Sequence, residues 1–285
     1  MIVMTEQSGR GGGPMDQALP VALLEQAAQA GLRTVLLGRR LDVVLASPQR
    51  RNAQTPATWR ALAAIGQQAA EIADVVVVRA EGPSFSSGLD RRALTPEGIP
   101  GEPALARLAS LAAAEFDRLV ASYQAGFTVW STGPFVSIAA VQGHAVGAGF
   151  QLALACDVRV AAADARFAMR EPALGLVPDL GGTGALVDAV GYARAVEICA
   201  TARWVDAAEA EHIGLVQAVV PAATLSDAVD ALADGVLAHP GPAVRATKAL
   251  LRGAARHPRE EQLAAERHAQ GERLRTLARE AATRS

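Results

Sequence analysis

The chain has 285 residues, 27 Lys and Arg against 29 Asp and Glu, and a formal net charge of −2. That balance argues against broad electrostatic capture of nucleic acid or an anionic membrane. Aromatic residues make up 4%, too few to stack single-stranded bases. Two cysteines, Cys156 and Cys199, support neither a disulfide framework nor a Cys-rich zinc site. With 51% hydrophobic and 20% charged residues, the composition is that of a globular protein of one or two domains.

Residues 1–17 lack the basic-then-apolar layout of a signal peptide, and no apolar run reaches the roughly 18–20 residues of a membrane span. A cytoplasmic protein is expected. The Gly-rich stretch 8–14 reads as a flexible leader, and 21–30 as a short helix closed by Gly31. Two β-rich runs, 34–37 and 41–46, flank Gly38-Arg39-Arg40 in the manner of a hairpin. Pro56 opens a helix over about 57–72. The run 75–79 is apolar enough for a strand buried on both faces. A loop follows from 81 to 101, then one long helix over about 103–132 and a second buried strand at 136–141. Glycines punctuate 143–149 before a helix over 150–155, and 158–161 is again strand-like. Strands alternating with helices predict an α/β fold with ligands at the strand ends. From about 225 the chain is helix-rich, and the charges of 256–285 read as a solvated helix face. The organisation expected is a leader and short helix over 1–30, a core over 31–224 and a C-terminal helical region over 225–285.

Several chemistries are absent from the motifs. There is no His-Glu-x-x-His, Cys-x-x-Cys or Gly-x-Ser-x-Gly, and the five histidines show no metal-ligand spacing. Gly143, Gly147 and Gly149 do not make a dinucleotide loop, because Leu152 stands where its third small residue belongs and no Walker lysine follows. Two backbone-exposing loops remain, Gly88-Leu89 and Gly147-Ala148-Gly149. They read either as glycine turns alone or as two N–H donors converging on an oxyanion. Glu171 and Asp179 stand in an apolar, Gly/Pro-bent segment that runs from 167 to 183. Desolvation would raise their pKa values and suit them to act as bases toward a carbon acid. The alternatives are a helix cap or an ion pair, such as Glu171 with Arg170.

These stretches resemble the enoyl-CoA hydratase/isomerase (crotonase) superfamily. The resemblance is carried by Arg51-Asn52-Ala53 after the 41–46 strand and by Phe85-Ser86-Ser87-Gly88-Leu89-Asp90. It is densest from Ile138 through Gly143-His144-Ala145-Val146-Gly147-Ala148-Gly149 to Asp157, and continues in Gly175-Leu176-Val177-Pro178-Asp179-Leu180-Gly181-Gly182-Thr183. It implies an α/β spiral of repeated strand–strand–helix turns, with C-terminal helices that build trimers, often paired into hexamers. It also implies an acyl-CoA thioester substrate with no metal or redox cofactor, coenzyme A being part of the substrate. Basic residues near Arg50-Arg51 and in the last helices are expected to meet the CoA phosphates.

Carried over by position, the backbone N–H groups of Leu89 and Ala148 would hold the thioester oxygen, with Gly88, Gly147 and Gly149 lining the pocket. Glu171 matches the second catalytic glutamate of the family. Gln151 stands where the first would be. Hydration needs a carboxylate to take a proton from water, which a neutral amide cannot do. Double-bond isomerisation asks only for one base beside the thioester and an oxyanion hole. Members that shift a 3-enoyl bond resemble this arrangement, and dienoyl-CoA isomerases carry an aspartate at the Asp179 position. The resemblance therefore implies an enoyl-CoA isomerase using Glu171 with Asp179. A hydratase is the second expectation, and a non-catalytic acyl-CoA binder is the contrasting class.

Overall fold

The consecutive valines 75–78 avoid water only if both faces of their strand are covered, and the fold covers both. Val76 and Val78 enter the main core, while Val75 and Val77 join a second core on the opposite face. The neighbouring strand repeats the pattern, with Ala139 and Val141 on one side and Ile138 and Ala140 on the other. Such two-sided burial erases the apolar/polar alternation of a half-exposed strand.

The computed structural model describes residues 19–284, the side chains of Leu105 and Arg284 aside, so the leader expected over 8–14 lies outside it. The chain opens with α1 (Val21–Gln29) and the hairpin β1 (Leu32–Leu37) and β2 (Arg40–Leu45). Next come α2 (Pro56–Ile72), β3 (Val75–Ala80), α3 (Leu105–Ala109) and α4 (Ala113–Thr132). The middle holds β4 (Val136–Val141), β5 (His144–Val146), α5 (Ala148–Ala155), β6 (Val158–Ala162) and β7 (Arg166–Ala168). After these follow α6 (Gly182–Val190), α7 (Tyr192–Thr201), β8 (Val205–Asp206), α8 (Ala207–His212) and β9 (Ala218–Val220). The last elements are α9 (Leu225–Leu237), α10 (Gly241–Ala254) and α11 (Arg259–Arg284).

One sheet runs β1-β2-β3-β4-β6-β9, with only the β1–β2 pair antiparallel. A smaller sheet runs β5-β7-β8. Two isolated parallel bridges, Gln54 with Leu89 and Ser86 with Ala145, extend that smaller layer toward the loops after β2 and β3. Each turn of the chain thus adds a strand to the large sheet, a short strand or bridge to the small one, and a helix. This is the spiral of strand–strand–helix turns that the family resemblance implies. Helix α1 packs on α2 and β1, and α9 covers β3, β4 and β6.

Three local expectations change. The single helix over 103–132 is two, because Ala112 is extended (φ −63°, ψ 148°) and its N–H goes to Glu115 Oε2 at 3.3 Å, starting α4 afresh. The glycine-punctuated stretch 143–149 contains the strand β5, and α5 begins at Ala148 rather than Phe150.

Candidate active site

The loop after β3 is held by buried polar side chains. Asn52 Oδ1 accepts from Ser47 N (2.8 Å), and its Nδ2 donates to Glu81 O and Ser84 O (both 2.9 Å). Gln54 Nε2 donates to Ser86 Oγ (3.1 Å), and Gln54 Oε1 accepts from Trp59 Nε1 (2.9 Å). Ser86 Oγ in turn donates to Asn52 O (2.7 Å) and accepts from Gly88 N (3.2 Å). The same serine joins this loop to β5, through Ser86 N to His144 O (2.9 Å) and Val146 N to Ser86 O (3.0 Å). The two glycine loops are therefore one hydrogen-bonded unit.

Gly88 has φ +84°, and a Cβ there would run into Val146 O and lie 3.4 Å from Ala148 N. Gly149 packs so closely on Ser86 that a Cβ would sit 2.6 Å from the serine Cβ. The N–H groups of Leu89 and Ala148 have no acceptor among the described residues, and Ala148 opens the N-terminus of α5, where N–H dipoles favour negative charge. This arrangement can receive an oxyanion.

Beside it stands Glu171. Its Oε1 would be 3.1 Å from a Cβ on Gly147, which places the carboxylate against the first turn of α5. Gln151, also in that turn and 1% exposed, donates from Nε2 to Glu171 Oε1 at 2.7 Å. Gln151 Oε1 accepts from Leu180 N (3.0 Å) and Gly182 N (3.1 Å). Glu171 Oε2 is buried without a hydrogen-bond partner among the described residues. Burial pushes the Glu171 carboxyl above the usual carboxylate range; the amide of Gln151 opposes that rise and the charge of Asp179 adds to it. Asp179 is also raised by desolvation, although much of the residue is open to solvent. Gln124 Nε2, from α4, donates to Asp179 O at 2.7 Å and fixes its backbone.

The bland readings of the two carboxylates find no support in this geometry. Arg170 Nη1 donates to Ala202 O at 2.6 Å and its guanidinium lies over Trp204, so it does not pair with Glu171. Neither carboxylate makes a side-chain cap on the 3₁₀ turn Pro172–Leu174 or on α6. The structure brings Gly88, Leu89, Gly147, Ala148, Gly149, Gln151 and Glu171 together, with the Asp179 segment tied to Gln151 through Leu180. Gln54 and Gln124 escaped the sequence reading, and Ser86 was read only as part of the motif at 85–90, not as a support of the loop. Each acts through a partner distant in the chain, and nothing in its local sequence marks it out. Among the described residues no group of three or more His, Cys, Asp or Glu could hold a metal ion, and no helix is long and apolar enough to cross a membrane.

Residues 41–284 match the family model for enoyl-CoA hydratase/isomerase. The chain belongs to that family. A Thermobifida fusca protein, provisionally named an enoyl-CoA hydratase and crystallised with CoA, superposes with a TM-score of 0.85 at 47% identity, over 90% of this chain and 97% of that one. A structure under the same name holds acetoacetyl-CoA, with a TM-score of 0.84 at 47% identity over 89% of this chain and 98% of that one. Among curated relatives, a probable enoyl-CoA hydratase of Mycobacterium tuberculosis is 50% identical over 86 residues, which are 30% of this chain and 34% of the relative. The peroxisomal Δ(3,5)-Δ(2,4)-dienoyl-CoA isomerase of Arabidopsis thaliana is 33% identical over 62% of this chain and 63% of its own length. The chain thus spans about a third of the first relative and under two thirds of the second.

Proposed function

We propose that this family member isomerises the double bond of an enoyl-CoA thioester, moving a 3-enoyl bond to the 2-position. One observation carries the reading: the partner of the half-buried Glu171 is a neutral amide whose oxygen and one N–H are already engaged, leaving the buried Glu171 Oε2 unpartnered. In the proposed reaction Glu171 Oε2 takes a proton from C2 of the substrate. The electron pair of that C–H bond spreads over the dienolate, and the thioester oxygen accepts hydrogen bonds from Leu89 N–H and Ala148 N–H. Return of a proton at C4, from Glu171 or with help from Asp179, leaves the 2-enoyl product. The raised pKa of Glu171 suits it to this exchange, because a stronger base is better matched to a carbon acid. Hydration would require Gln151 to activate water, and an amide takes no proton from water. The substrate carries its own coenzyme A, so the proposal invokes no further cofactor, and the assembly proposed is a trimer or hexamer of this chain.

The test is an incubation of the purified protein with 3-enoyl-CoA and 3,5-dienoyl-CoA thioesters in ¹⁸O-labelled water, read by chromatography and mass spectrometry. A 2-enoyl product of unchanged mass supports isomerisation of the simple substrate, and a 2,4-dienoyl product extends it to the conjugated one. Labelled 3-hydroxyacyl-CoA as the main product would make the protein a hydratase. Thioester binding without turnover would make it a binder.

A further inference from the structure

Gln151 is buried in the first turn of α5, yet nothing about a helix requires a glutamine there. Its amide makes three hydrogen bonds to three separate points: Glu171 Oε1, Leu180 N and Gly182 N. The two backbone donors fix the amide's orientation. Flipping it would aim an NH₂ group at two N–H groups and a carbonyl oxygen at a carboxylate, so that all three contacts are mismatched at once. The α6 N-terminus is also pressed against the side chain, since a Cβ on Gly182 would lie 2.5 Å from Gln151 Cγ and 3.0 Å from its Oε1. One oxygen of the Glu171 carboxylate is thereby held by the amide, and the other is left over.

We propose that Gln151 is a positioning residue: its amide holds one oxygen of Glu171 so that the other is turned to the substrate, and keeps the Asp179 segment in step with that carboxylate. This rests on the isomerase reading for its catalytic consequence, but the positioning itself can be read without turnover. The groups facing Glu171 make the expected titration definite. Gln151 comes from α5, the Asp179 carboxylate from the loop before α6, and the Cys199 thiol from α7, while the Arg170 side chain turns away to Ala202 O. No cation pairs with Glu171 among the described residues, so the amide is its one side-chain hydrogen-bond donor.

Two replacements separate positioning from packing. Gln151→Met keeps the length and removes both halves of the amide. Gln151→Glu keeps an acceptor for Leu180 N and Gly182 N but sets a second carboxyl oxygen against Glu171 Oε1, so the pair must share a proton. The readout is ¹³C NMR of protein labelled at the glutamate carboxyls, with Glu171→Gln assigning the resonance. We expect Glu171 to titrate about half a unit to one unit higher in Gln151→Met. In Gln151→Glu two coupled steps replace one, the upper displaced by roughly a unit or more. With a 3-enoyl-CoA substrate, kcat should fall about 10- to 100-fold in Gln151→Met with KM changed less than about threefold. The acid limb of kcat/KM should move upward in Gln151→Glu. An unchanged Glu171 titration in both variants would overturn the proposal and reduce Gln151 to packing. Absence of turnover in the unaltered protein would overturn the isomerase reading alone, because the titration still decides the positioning.

Discussion

A carboxylate buried with one oxygen unpartnered costs stability, and Glu171 is that residue here. Its removal should therefore separate activity from folding. Glu171→Gln is expected to lower kcat about 10²- to 10⁴-fold with KM little changed, measured on a 3-enoyl-CoA thioester. The stability effect has a definite sign. Burial raises the folded-state pKa above the unfolded value of about 4.3, so the folded chain holds the proton to higher pH than the unfolded chain does. The contribution of Glu171 to stability is thus intact below the unfolded pKa and declines as pH rises through the folded one. The melting temperature of Glu171→Gln relative to the parent should climb as pH rises from about 4 into the neutral range. A difference that stays flat across that range would mean that Glu171 titrates as an ordinary carboxylate. Asp179 is distinguished by another probe. If it assists the return of the proton at C4, Asp179→Asn should retain deuterium exchange at C2 in heavy water while losing about tenfold or more of product formation. Loss of both together would assign the first proton transfer to Asp179 as well.

Between residues and fold, the glycine loops carry the geometry that the carboxylate needs. Gly88 combines φ +84° with a backbone carbonyl where its Cβ would be, so Gly88→Ala strains the chain and pushes the Leu89 and Ala148 N–H groups apart. A loss of about 1–3 kcal/mol in denaturant unfolding is expected, with a larger proportional fall in kcat than in stability-matched variants elsewhere. At this scale the sequence was legible where an element carries enough residues to show its burial. The strands β3 and β4 stood out because both faces are covered, and α2 because Pro56 opens a long amphipathic pattern. Strands β5, β7 and β8 did not, since three residues or fewer cannot establish a period and their partners lie elsewhere in the chain. The break between α3 and α4 was hidden because Ser110, Leu111 and Ala112 all tolerate a helix. The site divides in the same way. Glu171, Leu89 and Ala148 were legible through motifs, whereas the bond from Gln151 to Glu171 spans 20 residues and exists only once α5 meets the segment after β7. The support that Gln54 and Ser86 give the first glycine loop likewise depends on pairing across 32 residues.

Across the molecule, the C-terminal helices are secured to the core unequally. Helix α9 buries Leu225, Val229 and Ala233 against β3, β4 and β6. Helix α10 is pinned by Lys248, whose buried Nζ donates to Trp130 O (3.2 Å), Phe135 O (2.6 Å) and Asp157 Oδ2 (2.7 Å). Helix α11, by contrast, packs chiefly on α10 and spans 26 residues, about 39 Å. Leu263, Leu274 and Leu277 fall on one of its faces by helical spacing and stay exposed, Leu274 by 55%. Single exposed leucines need no explanation, but a stripe of them along a helix that its own protomer scarcely covers is the mark of an interface. The trimer or hexamer proposed for this chain would place a second copy over that stripe. Light scattering on the eluting protein should then give the mass of three or six chains. Leu274→Glu combined with Leu277→Glu should lower that mass while leaving the far-ultraviolet circular dichroism of the core in place, because neither side chain belongs to the buried core clusters. A parent protein that elutes as one chain at micromolar concentration would refute the assembly and the reading of the leucine stripe as its interface.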